Sequence, residues 1–75
     1  MKVILDGEKI KDRRMLHEVL AQELQLPEWY GRNLDALHDC LEDFPEKPKF
    51  EIVNKEALEK HLGPYVLALE KVLKI

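Results

Sequence analysis

The stretch Glu28-Trp29-Tyr30-Gly31-Arg32-Asn33-Leu34-Asp35-Ala36-Leu37-His38-Asp39-Cys40-Leu41-Glu42-Asp43-Phe44 decides how this chain is read. It holds a loop, a cap and a helix in succession. Pro27, just before it, disfavours helix in the residue it follows, so a helix arriving from the N-terminal side ends near Leu24 to Leu26. Pro27 to Arg32 is then a loop with Gly31 as its flexible point. Asn33 offers a side-chain oxygen to cap a new helix. In that helix Leu34, Leu37, Leu41 and Phe44 recur at helical spacing and form a buried stripe, with Cys40 beside it. Asp35, Asp39 and Glu42 fall on the opposite face. His38 sits on the shoulder between the two, and Asp43 flanks the other side.

Upstream, Val3-Ile4-Leu5 is a short apolar run ended by Asp6-Gly7, a strand followed by a turn. Asp12 can cap a helix whose apolar positions Met15, Leu16, Val19, Leu20 and Leu24 share one face. Downstream, Phe44-Pro45-Glu46-Lys47-Pro48 ends the acidic helix and forms a connection. Lys49 to Val53 reads as a second strand. Asn54 is expected to cap a short helix carrying Ala57, Leu58 and Leu62, closed by Gly63. Pro64 then opens a last helix with Tyr65, Val66, Leu69, Val72 and Leu73 inward. Strands separated by helices point to an α/β domain over residues 1–75, a small parallel sheet packed with about four helices. There are no repeats and no low-complexity segments.

The chain has 75 residues, too few for a second domain. With 45% hydrophobic and 36% charged residues it fits a folded globular protein rather than a disordered one. No apolar run approaches the roughly 20 residues that cross a bilayer, and the charged N-terminus lacks a signal-peptide core, so no membrane partner is expected. Cys40 is the one cysteine, which excludes an internal disulfide and suits a reducing cytoplasm. Lys and Arg total 12 against 15 Asp and Glu, a balance that disfavours nucleic acid as a ligand and favours a basic protein. Five of the acids (Asp35, Asp39, Glu42, Asp43 and Glu46) lie between Asn33 and Glu46, where there is no Lys or Arg; the remainder has ten acids against twelve bases. Like charges at helical spacing cost about 0.2–0.5 kcal/mol per pair, so folding does not favour this concentration. Aromatic residues beside such a patch are typical of protein–protein hot spots, and Trp29 and Tyr30 stand immediately before it.

The run from Leu26 to Leu41 closely resembles the signature of the barstar family of ribonuclease inhibitors. Its most specific part is the Tyr-Gly-x-Asn-Leu-Asp-Ala-Leu core, intact as Tyr30 to Leu37. The Val3 to Gly7 opening, Leu16-His17 and the element order also fit. The likeness is strong to about residue 54 and weak beyond. It implies a cytoplasmic inhibitor that plugs the active site of a small basic ribonuclease or related toxin, with no enzymatic activity and no cofactor. It implies a three-stranded parallel sheet, and the sequence stops at Ile75 before the place of the last strand, as either a shortened chain or a compact member would. Carried over by position, Asp39 is the main phosphate mimic and Asp35 a second carboxylate contact. Trp29 takes the place of a contacting aromatic that is usually Tyr. Gly31, Asn33 and Leu34 shape the loop surface, and Phe44 stands where another aromatic is expected. Tyr30, His38 and Glu42 complete the expected partner-binding set. His38 departs from the pattern, replacing a Trp on the binding face and adding a titratable group.

Three other readings follow from the residues. Asp35, His38 and Asp39 suit a divalent ion by type, but one helix supplies no fourth ligand. His38 beside a carboxylate could serve as a base, but no nucleophile motif or phosphate loop accompanies it. An interaction adaptor without nuclease inhibition is the main alternative, because the Trp-to-His change removes an apolar anchor. His17 and His61 read as surface or boundary residues, and Cys40 as an inert core thiol. The outer edge of the second strand is expected to be exposed, giving weak self-association.

Overall fold

A computed structural model describes residues 1–75. The order is β1 (Lys2–Asp6), α1 (Arg13–Leu24), α2 (Leu34–Glu42), β2 (Lys49–Val53), α3 (Lys55–Leu62) and α4 (Tyr65–Leu73). The two strands pair in parallel, with Lys2 opposite Lys49 and Leu5 opposite Ile52. The expected element order and the α/β class are therefore both present, with a two-stranded sheet.

Strand alternation sorts the two faces of this sheet. Val3 and Leu5 of β1 are closed off beneath the helices, while Ile4 between them is half exposed on the outer face. Their opposites on β2, Phe50 and Ile52, are only partly covered. On the outer face Lys2 Nζ meets Glu51 Oε1 at 2.8 Å. Leu16, Leu20 and Leu24 of α1, Leu37 and Leu41 of α2, Leu58 and Leu62 of α3, and Val66, Leu69 and Leu73 of α4 fill the core. α2 packs on α4, and α4 on α3. Met15, placed on the inner face of α1 by periodicity, is partly exposed instead.

The helix ends follow local chemistry. Asp12 Oδ1 accepts from the Met15 amide at 2.8 Å, and Asn33 Oδ1 from the Ala36 amide at 2.8 Å. Asn54 departs from the expected cap: it adopts a left-handed backbone (φ 54°) and makes no side-chain cap bond. Its side-chain NH2 instead donates to Asp6 Oδ1 at 2.9 Å, joining the ends of the two strands. Gly7 is required by crowding at the same junction. A Cβ there would lie 2.2 Å from the Asn54 carbonyl oxygen and 2.7 Å from the Leu58 nitrogen.

His17 overturns the expectation of a surface or boundary residue. It is 1% exposed, and its two ring nitrogens lie 2.6 Å from the Tyr30 hydroxyl and 2.7 Å from the Tyr65 hydroxyl. A neutral imidazole donates from one nitrogen and accepts at the other, so it satisfies one hydroxyl of each kind. The trio ties α1 to the loop before α2 and to the start of α4. The Arg13 guanidinium covers the Tyr65 ring at 4.3 Å, closing the trio from outside. His61 is a boundary residue, as expected: half-buried, its Nδ1 faces the carbonyls of Gly7 and Ile10 at 3.0 and 2.9 Å and tethers α3 to the turn after β1.

Candidate functional site

The loop from Pro27 to Arg32 separates its two aromatics by burial. Tyr30 is 3% exposed, held by its hydroxyl bond to His17 and by its amide bond to the Pro27 carbonyl at 3.0 Å. Trp29, the adjacent residue, is 81% exposed. Tyr30, placed in the expected partner-binding set, is therefore a core residue instead: its ring is closed off from solvent and its two bonds fix the loop to α1 and to Pro27. Burial holds the Tyr30 hydroxyl well above the usual phenol range, so it stays a neutral hydrogen-bonding group.

Asn33 sets the geometry between loop and helix. Its oxygen caps α2 while its NH2 donates to the Gly31 carbonyl at 3.2 Å. A side chain at Gly31 would press on the Ala36 Cβ and the Asn33 amide, each at 3.2 Å, so the chain passes close to the helix start. Arg32 takes the left-handed conformation (φ 53°) that completes the turn.

On α2, Leu37 and Leu41 are buried and Leu34, Cys40 and Phe44 are partly covered, as the periodicity predicts. Leu34 and Phe44 are thus only partly exposed to solvent. Asp35, His38, Asp39 and Glu42 are exposed. The Asp39 side chain keeps 86% of its surface, and Asp35 has no ion-pair partner in the chain.

Glu42 differs from these two. Lys47 Nζ donates to its Oε2 at 2.8 Å and to the Leu41 carbonyl at 2.8 Å. Lys47 therefore both neutralises Glu42 and satisfies a carbonyl at the end of α2. That hydrogen bond holds the Glu42 carboxyl below its usual range. The absence of basic residues from Asn33 to Glu46 concealed this pairing, because the cation stands one residue outside that window and returns through the turn. His38 lies 3.7 Å from Asp39 Oδ1 and 3.6 Å from Glu42 Oε1, between those two carboxylates.

Nothing else in this region points to chemistry of its own. No three His, Cys, Asp or Glu side chains gather as a metal site. Burial first, then the nearby Asp43 and Asp39 charges, raise the Cys40 thiol above its usual range, opposite to what a nucleophile needs. A cleft of about 490 Å³ touches His38 and Glu42 but lies toward β2 and α4, away from Trp29, Asp35 and Asp39. No helix is long and apolar enough to cross a membrane.

A family model described as Barstar (barnase inhibitor) matches residues 1–74. A Bacillus subtilis (strain 168) protein named "Putative ribonuclease inhibitor YrdF" is 40% identical over 65 residues, covering 85% of this chain and 71% of that protein. The chain belongs to the barstar family.

Proposed function

We propose that this member of the barstar family is a cytoplasmic protein inhibitor that blocks the cationic active site of a small basic ribonuclease or related toxin with α2 and the loop before it. The observation that carries this reading is the pair of exposed carboxylates, Asp35 and Asp39, neither paired with a Lys or Arg, on the helix that follows an indole that is 81% exposed. A ribonuclease site binds phosphate through Arg, Lys and His, and a positioned carboxylate offers those groups the same charge-assisted hydrogen bonds. Complementary fields bring the two proteins together faster than neutral surfaces would meet. Trp29 supplies the apolar area that carboxylates lack. The anchors behind this surface, Asn33 as cap and Tyr30 bonded to His17, hold it rigid, so little entropy is lost on docking.

The internal pairing ranks the acids. Asp39 and Asp35 gain ion pairs on binding, whereas Glu42 exchanges one cation for another. Titration of the chain into barnase and into a panel of other small basic ribonucleases, with cleavage of a fluorogenic oligoribonucleotide as readout, tests this. One-to-one inhibition of at least one of them is expected, with association slowed by salt. Asp39→Ala should weaken inhibition by about 30-fold or more, and Glu42→Ala by less than about 5-fold. Inhibition of none of these enzymes, or equal losses from the two substitutions, would overturn the reading.

A further inference from the structure

Lys47 lies in the turn after α2, and its side chain runs back to the helix the backbone has just left. Its Nζ donates to Glu42 Oε2 and to the Leu41 carbonyl oxygen, each at 2.8 Å. An ammonium group has three N–H donors, so two are used inside the chain. On the other side of the same carboxylate, His38 Nε2 lies 3.6 Å from Glu42 Oε1. Lys74 adds its charge from beyond ion-pair distance. Glu42 is thus answered from within the molecule, whereas Asp35, Asp39 and Asp43 have no Lys or Arg within that distance.

The fold makes little demand for this pairing. Lys47 and Glu42 are both half-exposed, and an ion pair in that setting adds little stability. The Leu41 carbonyl belongs to the last turn of a helix, where water can take the place of a side-chain donor. The pairing matters more for the charge that α2 presents. Glu42 follows Asp35 and Asp39 at helical spacing on one polar face. With Glu42 free, that face would carry three carboxylates and draw in basic surfaces of any shape, because long-range attraction depends on charge and not on fit. Two carboxylates and an indole instead favour a partner whose cations match both positions.

We propose that Lys47 is a specificity-determining residue: by occupying Glu42 it withholds a third carboxylate from the α2 face and limits capture of basic surfaces that lack a fitting site. This rests on the reading of α2 as the partner-binding face and adds what that face rejects.

A hexa-arginine peptide serves as a basic partner with no fitted site. Its binding is measured by isothermal titration calorimetry at about 20 mM salt, where a Debye length of roughly 20 Å leaves neighbouring surface charges in contact. Lys47→Met should bind the peptide about 2–5-fold more tightly than the parent, the range that one exposed ion pair commands. Lys60→Met removes the same unit of charge from α3, where Lys60 is exposed and unpaired, and should gain less than Lys47→Met. Lys47→Met/Glu42→Gln has the net charge of the parent and no third carboxylate, so it should return to the parent's affinity. Circular dichroism confirms that each variant is folded. A purely structural Lys47 would lower the melting temperature on substitution without tightening the peptide. No gain from Lys47→Met, an equal gain from Lys60→Met, or a gain that survives Glu42→Gln would each overturn the proposal. The peptide assay involves no nuclease, so it decides the role of Lys47 separately. Failure to inhibit any ribonuclease would overturn the inhibitor reading alone.

Discussion

Acidification should destabilise the fold through His17. The unfolded imidazole titrates near 6.5. In the folded protein, burial first and the Arg32 charge second hold His17 below that value. Above pH 6.5 both states carry a neutral ring, and the group makes no pH-dependent contribution. As pH falls, the unfolded chain takes up a proton that the folded chain refuses, so the unfolded state gains and stability drops. The loss levels off once pH passes below the folded value. Linkage caps this loss at about 1.4 kcal/mol between pH 7.5 and 5.5, the figure for a folded ring that takes up no proton over that range. His17→Gln removes the titration. Glutamine cannot span the two hydroxyls held at 2.6 and 2.7 Å, so the variant should start about 1–3 kcal/mol less stable, the cost of one unpaired buried polar group. The assay is urea unfolding followed by far-ultraviolet circular dichroism at several pH values, with the parent and variant compared at each. The difference between them should shrink on acidification. A difference that stays constant from pH 7.5 to 5.5 would show that His17 is not the proton-linked group.

The other expectations rest on particular contacts. Tyr30→Phe strands a ring nitrogen of His17 in the core and should cost about 1–3 kcal/mol in urea unfolding; Tyr65→Phe should cost less, because Tyr65 is only partly buried. Gly7→Ala drives a methyl group into the Asn54 carbonyl and the start of α3, and should destabilise by about 3 kcal/mol or prevent folding, as read by thermal melting. Trp29→Ala should leave unfolding within about 0.5 kcal/mol of the parent, since the indole is 81% exposed. Trp29 is the one tryptophan in the chain, so its emission should shift to the blue when a ribonuclease covers it.

Much of the fold was legible because its determinants are local. Asp12 and Asn33 announced two helix starts through their short acceptor side chains, and both caps form. α1 ends at Leu24, within the range that Pro27 set, through a left-handed Gln25, and the apolar spacing in α2 and α4 named their inner faces. The acidic face of α2 also follows from spacing alone, since a helix fixes where each residue points. Asn54 was misread because the same side chain that caps a helix can serve a distant acceptor, here Asp6, 48 residues away in sequence.

What sequence could not supply is which residues meet after the chain folds back on itself. Trp29 and Tyr30 are neighbours of similar size and chemistry, and nothing local says which turns inward. His17, 13 residues before Tyr30 and 48 before Tyr65, makes that choice by offering a buried partner to a phenol, which an indole cannot match at both donor and acceptor. In the same way Lys47 reaches back to neutralise Glu42, leaving Asp35 and Asp39 without a Lys or Arg partner. Sequence by itself determined the elements, their order and an acidic helix, because periodicity and capping act within a few residues. Tertiary structure decided which acid an internal lysine takes up and which aromatic faces solvent, because each depends on groups brought together only by packing.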